Sequence, residues 1–211
     1  MASVSGEILE GLWRFEARHP EWTEDEGGEE GWDPIVSWWA VRTPAGLALI
    51  DPLIDDWRAI DELVQANSGC AGVIRTCHWH QRSIAEAAAR FDAEVLASPH
   101  PRDRGWPSFD RGVSDREELF DGIVAVAMER DDEVALWLEG HRALVFGDAM
   151  LRARDGQLQV CPESWTQPEG GRARLISLLR ELTELPVEHV LVSHGPLVLS
   201  DGLSSLRAAT G

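Results

Sequence analysis

Val73-Ile74-Arg75-Thr76-Cys77-His78-Trp79-His80-Gln81-Arg82-Ser83 is an apolar strand that ends in two histidines spaced i, i+2 and runs straight into an alanine-rich helix. In extended backbone alternate side chains share a face, so the spacing predicts that His78 and His80 converge on one point while Trp79 turns away. Neutral imidazole is a common ligand for divalent metals, and two of them at a strand end are how such a site begins. An isolated pair is equally well explained as hydrogen-bonded core residues, so the rest of the chain has to decide.

On either side of this stretch strands alternate with helices. Upstream, Ile35 to Arg42 and Gly46 to Asp51 flank the turn-rich Thr43-Pro44-Ala45-Gly46 and read as a hairpin. Asp55 to Ala66 carries Trp57, Ile60, Leu63 and Val64 at helical spacing, with Asp55 or Asp56 as the cap. Downstream, Arg82 to Phe91 reads as a helix and Glu94 to Ala97 as a strand, which completes a β-α-β passage. Strands are then expected at Ile123 to Ala127, Val134 to Leu138, Ala143 to Phe146 and Val187 to Val192, with helices at Arg172 to Leu182 and Gly202 to Ala208. Near the amino terminus Glu7 to Phe15 reads as a first strand. Glu24 to Gly31 has no apolar anchor and reads as an exposed acidic loop whose spacing does not match a calcium site. Pro99 to Pro107 reads as loop, with His100 at the surface.

At 211 residues and 44% hydrophobic content the chain can bury a substantial core, and it reads as one domain over residues 1–211. It has no 18-residue apolar run, and Glu7, Glu10 and Glu16 stand where a secretory signal needs a basic start. A cytoplasmic protein without a membrane partner is expected. A net charge of −18 with no basic cluster repels phosphate backbones and excludes nucleic acid as a partner. All 19 positive residues are arginine, so Schiff-base and P-loop lysine chemistry are excluded. Cys70, Cys77 and Cys161 are odd in number and lack Cys-x-x-Cys spacing, which reads as reduced thiols; Cys77 reads as a small residue closing a buried strand rather than as a nucleophile.

Four apolar strands end in a residue able to bind or orient a metal: Asp51 after Leu47-Ala48-Leu49-Ile50, the His78 and His80 pair, Asp148 after Leu144-Val145-Phe146-Gly147, and His194 after Val190-Leu191-Val192. Packed sheets gather such ends along one edge. Asp51 reads as an orienting or turn-stabilising group rather than a ligand, and His194 beside Gly195-Pro196 can equally satisfy the carbonyls of its own turn. His19, His141 and His189 read as lying outside the site. Trp79 and Trp165 are placed to wall a pocket for an apolar or aromatic substrate, although ordinary packing also accounts for them. A Ser-His-Asp hydrolase built on Ser193 or Ser83 ranks last, because the chain has no Gly-x-Ser-x-Gly elbow.

In this order, and over nearly the whole chain, the segments resemble the metallo-β-lactamase-fold hydrolases. Gly46 to Asp51 is similar to that family's second hairpin strand ending in aspartate, and Thr76 to Ser83 to its metal motif, His-x-His-x-Asp-His. Phe146-Gly147-Asp148 is similar to the strand bearing the bridging aspartate, and Ser193-His194-Gly195-Pro196 to the closing histidine turn. The resemblance implies an α/β (α+β) fold: an αββα sandwich of two mixed β-sheets packed face to face and flanked by helices. It implies metal ligands at His78, His80, Asp148 and His194. Two departures stand out. Arg82 and Ser83 occupy the positions of the motif's aspartate and final histidine, so the second metal loses two ligands and gains a fixed cation. The family's third histidine is also missing before Val134 to Leu138, where Glu129 is the positional substitute.

Two readings follow, and both stay open on the residues alone. In one, His78, His80, Asp148 and Glu129 hold a single zinc, iron or manganese ion with an open position, and Arg82 replaces the second metal and pairs with Asp148. A metal-bound water then hydrolyses an ester, thioester, lactone or amide of a small-molecule substrate, with His194 or Asp148 carrying protons and Arg82 stabilising negative charge. In the other, Arg82 satisfies Asp148 by itself, no metal binds, and the chain is a pseudoenzyme or ligand-binding relative. Exposed tryptophans would suit a homodimer.

Overall fold

Apolar side chains alternating with a period of two build two sheets, each apolar on both faces. The computed structural model describes residues 6–27, 32–98, 109–128, 133–153, 156–166 and 170–211. The first sheet holds, in spatial order, β1 (Gly6–Leu9), β2 (Leu12–Arg18), β3 (Ile35–Thr43), β4 (Gly46–Ile50), β5 (Cys70–Arg75), β6 (Val95–Ala97) and β7 (Arg111–Gly112). Pairing is antiparallel from β1 to β4 and parallel from β4 to β7. Parallel neighbours need a crossover, supplied here by α1 (Trp57–Ala66) and α2 (Ile84–Phe91).

The second sheet contains β8 (Glu118–Phe120), β9 (Ile123–Ala127), β10 (Val134–Leu138) and β11 (Ala143–Phe146), followed in the chain by the separate hairpin β12 (Met150–Arg152) and β13 (Leu158–Val160). After α3 (Gly171–Glu181) the chain returns as β14 (His189–Val192) to pair parallel with β11, and α4 (Gly202–Thr210) ends it.

The layers follow from the alternation. Ala48 and Ile50 of β4 face Leu136 and Val145 of the other sheet in a buried central core, whereas Leu47 and Leu49 pack outward with Ile60 and Val64 of α1. On the far side Leu144 and Phe146 of β11 pack with Leu175 and Leu179 of α3 and Leu206 of α4. The result is helix, sheet, sheet, helix, the αββα sandwich that the resemblance implied. Asp56 caps α1 by accepting from the amides of Arg58 and Ala59 at 3.1 and 3.2 Å.

Two main-chain bonds rivet the sheets together at one edge. The Ser37 amide in β3 donates to the Ser193 carbonyl beyond β14 at 2.9 Å, and the Val134 amide in β10 donates to the Thr76 carbonyl beyond β5 at 2.8 Å.

Several details differ from the sequence-based expectation. Glu7 to Phe15 is not one strand: the chain reverses at Glu10-Gly11, where Gly11 has φ of 74° and its amide donates to Glu7 Oε1 at 2.7 Å. Of the acidic loop, Glu24–Gly27 forms a single 3-10 turn and the remainder lies outside the described residues, as does the whole Pro99 to Pro107 loop with His100. The β12–β13 hairpin, too short to show a period, was not expected. No helix among the described residues is long and apolar enough to cross a membrane.

Candidate metal centre

The C-terminal ends of β4, β5, β11 and β14 reach the riveted edge, and each delivers a polar side chain there. Asp51 follows β4, Cys77 and His80 follow β5, Asp148 follows β11 and His194 follows β14; all five are buried.

The segment after β5 is where extended-chain reasoning fails. The His80 amide donates to the Cys77 carbonyl at 3.1 Å, so residues 77–80 form a reverse turn. In such a turn the first and fourth residues lie side by side, and the i, i+2 alternation of a strand no longer applies. Cys77 and His80 are therefore the neighbours. One donor atom each from Cys77, His80 and Asp148 lies within 4.8 Å of the other two, with Cys77 Sγ 3.6 Å from Asp148 Oδ2. His78 is outside this trio: its ring packs against the exposed Trp79 indole at 4.2 Å, and its carbonyl accepts from Gln81 Nε2 at 2.8 Å. Glu129 lies outside the described residues.

Two carboxylates hold His80 from opposite sides. Nδ1 lies 2.8 Å from Asp51 Oδ2, and Nε2 lies 3.2 Å from Asp148 Oδ1. Asp51 cannot turn away, because its other oxygen accepts from the Thr76 amide at 2.7 Å and the Thr76 hydroxyl donates to Oδ2. Burial and Arg82 both oppose a charge on His80, yet Asp51 and Asp148 outweigh them and push its pKa up to about 9. Burial likewise works against the Asp51 carboxylate, but His80, Arg82 and Thr76 bring its pKa below the ordinary value. In the metal-free protein His80 is thus an imidazolium donating to both carboxylates.

His194 is the opposite case. Its Nε2 lies 3.1 Å from Asp148 Oδ1, but burial dominates and lowers its pKa, which keeps the ring neutral. With Nε2–H directed at Asp148, the lone pair sits on Nδ1, which has no hydrogen-bond partner among the described residues.

Arg82 is half-buried beside His80 and acts as a tie rod. Nη1 donates to the carbonyls of Ser37 and Asp51 at 3.0 and 3.1 Å. Nη2 donates to Ser193 Oγ at 2.6 Å and lies 3.2 Å from His80 Nε2. One guanidinium thus joins the ends of β3, β4 and β14, and its hydrogen bonds go to these groups and not to Asp148, the pairing expected from sequence. Arg82 and Asp51 both have positive φ, 37° and 49°, a conformation that non-glycine residues adopt at a cost and that concentrates at functional sites. Ser83 faces elsewhere, its hydroxyl accepting from the Ile54 amide at 3.0 Å.

Above the cluster the walls are aromatic. Trp32 and Trp165 both stand edge-on to the His194 ring, at 5.1 and 6.0 Å, and His19 meets Trp32 at 5.0 Å. Burial together with the nearby Arg82, His80 and His194 drives the His19 pKa down to about 4, so this histidine, read from sequence as remote, belongs to the rim. His141 and His189 sit far from the cluster, bonded to the carbonyls of Glu10 and Leu199.

The structure thus brings together His80, Asp148, His194 and Arg82 and leaves His78 outside the Cys77, His80 and Asp148 trio. Sequence reasoning missed Cys77 as a neighbour of His80, Trp32 over His194, and Glu133 beneath Asp148. A turn at Cys77 to His80, between the apolar strand and the helix, was the one local signal available. A thiol, an imidazole and a carboxylate within reach of one another are a chemically suitable donor set for one zinc or iron ion.

The family model of the Metallo-beta-lactamase superfamily matches residues 35–210. The chain belongs to that superfamily. Among solved structures it is similar to VMB-1, with 13% identity, a TM-score of 0.70 and coverage of 98% of this chain and 95% of that one. It is likewise similar to TTHA1623 in a di-iron-bound form, at 22% identity, TM-score 0.62 and coverage of 83% and 93%. FIM-1 from Pseudomonas aeruginosa in a mono-zinc form gives 10% identity, TM-score 0.70 and coverage of 98% and 94%. These likenesses concern the fold. A comparison with curated proteins gave no match.

Proposed function

We propose that the chain is a hydrolase with a single divalent ion, acting on an ester, thioester, lactone or amide of a small molecule. The observation that supports this reading is the buried trio of Cys77, His80 and Asp148, within 4.8 Å of one another at the edge where the four strand ends meet. Those three residues would hold the ion, zinc or iron in preference to manganese because one donor is a thiol. When bound, such an ion supplies Lewis acidity that polarises a carbonyl and makes water a better nucleophile near neutral pH.

The chain's own residues do the rest. Asp51 holds Nδ1–H of His80 and leaves Nε2 as the ligand atom. Asp148 fixes the tautomer of His194, whose neutral Nδ1 is the atom able to take up a proton. Arg82 keeps a fixed positive charge beside the centre, which favours a transition state that gathers negative charge. Trp32 and Trp165 offer flat apolar surface to the part of the substrate away from the reacting carbonyl and help to keep water out.

One observation favours a second reading, a metal-free binding protein: imidazolium His80 and guanidinium Arg82 already balance Asp51 and Asp148 without any ion. Activity separates the two. The zinc- or iron-loaded protein is expected to turn over one class of a panel of aryl esters, thioesters and lactones, to lose that activity with a chelator and to regain it with the ion. Protein that takes up neither ion and turns over none of the panel would favour the metal-free binding protein.

A further inference from the structure

Glu133, fully buried at the entry to β10, performs a task that neither the fold nor the ligand set explains. Its Oε1 accepts from two consecutive main-chain amides, Asp148 N at 2.9 Å and Ala149 N at 2.8 Å. The turn that carries Asp148 therefore hangs on one side-chain oxygen from a neighbouring strand. The approach is close enough to dictate the residue before Asp148: a Cβ at Gly147 would come within 3.2 Å of Glu133 Oε1 and 2.5 Å of Thr76 Oγ1. Thr76 bonds Asp51, Asp51 bonds His80, and His80 meets Asp148, so Glu133 extends this chain of contacts to the amides behind Asp148.

We infer that Glu133 is the positioning residue for Asp148: by clamping the amides of Asp148 and Ala149 it sets the direction from which Asp148 Oδ1 meets both His80 Nε2 and His194 Nε2. As a positioning residue it acts through Asp148. Residues one step removed from a metal typically change its affinity about 10- to 100-fold when lost, because the ligand they orient is no longer held in place. Only the metal arm of the test rests on the hydrolase reading; the histidine arm stands without it.

The test compares Glu133→Ala, Glu133→Asp and Glu133→Gln with the parent. Imidazole nitrogen signals are recorded on metal-free, histidine-labelled protein, and zinc affinity is measured by competition with a chromophoric chelator. Glu133→Ala is expected to move the His80 and His194 signals, leave those of His141 and His189 in place, and weaken zinc binding about 10- to 100-fold. Glu133→Asp, one methylene too short for the two amides, moves in the same direction and carries the test if the alanine variant does not fold. Glu133→Gln keeps an oxygen for both amides and restores parental behaviour. Unmoved His80 and His194 signals in both the alanine and aspartate variants would overturn the inference, as would equal shifts at every histidine, the mark of a purely structural role. If the parent takes up no zinc, the hydrolase reading falls and the imidazole signals still decide the role of Glu133.

Discussion

His80 Nδ1 lies 2.8 Å from Asp51 Oδ2, with both side chains sealed from solvent. Asp51 is itself anchored by the Thr76 amide and hydroxyl, so the pair has one geometry and directs His80 Nε2 toward Asp148. A metal ion held there would compete with a proton for that nitrogen, and the Asp51–His80 pair settles which tautomer it would meet.

The same pair sets a pH window for the metal-free protein. His80 has a folded pKa of about 9 against an ordinary 6.5, so its contribution to stability is complete below pH 6.5 and is lost as pH rises through 9. Asp51, held below its ordinary value, contributes above that value and loses its contribution as the medium becomes strongly acidic. Denaturant unfolding with chelator present should therefore show a fall, on the order of 3 kcal/mol, between pH 6.5 and 10. The fall should be smaller in His80→Gln. Equal alkaline losses in parent and variant would remove His80 as its cause.

Cys77 and His78 make opposite predictions. The turn at 77–80 puts Cys77 beside His80, whereas His78 packs on Trp79. Cobalt-loaded parent should show a thiolate-to-cobalt absorption band that Cys77→Ser abolishes, with zinc affinity falling by more than the 10- to 100-fold typical of an outer residue. His78→Ala should keep the band. A band that survives Cys77→Ser but vanishes in His78→Ala would restore the extended-chain arrangement.

Arg82 should show a split effect. Replacing it by alanine leaves the Ser37 and Asp51 carbonyls and Ser193 Oγ without their shared donor, which should cost metal-free stability about 2–4 kcal/mol. The same change removes a positive charge 3.2 Å from His80 Nε2, so zinc should bind more tightly to the variant. Calorimetry on apo and zinc-loaded protein measures both; weaker zinc binding in a folded variant would show that Arg82 supports the ion and does not oppose it.

Much of the architecture was legible because strand periodicity survives in short windows. Ile123–Ala127, Val134–Leu138 and Ala143–Phe146 coincide residue for residue with the expected strands, each buried throughout or nearly so. The strand ends carrying Asp51, Asp148 and His194 could be named for the same reason. The partner of His80 could not: a reverse turn and an extended segment of four residues look alike when every residue is small or aromatic, and the turn brings Cys77 beside His80. Glu133 and Trp32 are tertiary neighbours whose roles depend on chain returning from more than a dozen residues away, and no local spacing encodes them.

Trp32 and Trp165 bear on substrate choice. If they hold the apolar part of the substrate, Trp32→Ala should raise KM for a phenylacetyl ester about 2- to 10-fold and leave KM for the acetyl ester near the parental value, since one aromatic contact contributes about 0.5–1.5 kcal/mol. Equal changes for the two esters would assign Trp32 to holding His194 in place.

The most direct measurement is metal content by plasma mass spectrometry on untagged protein dialysed without chelator, with Cys77→Ser/His80→Ala and His78→Ala alongside. A single centre on Cys77, His80 and Asp148 predicts about one equivalent of zinc or iron per chain in the parent and in His78→Ala, and none in the double variant. A parent free of metal even after reloading would contradict the account and leave Arg82 and His80 as the two cations of a cluster that needs no ion.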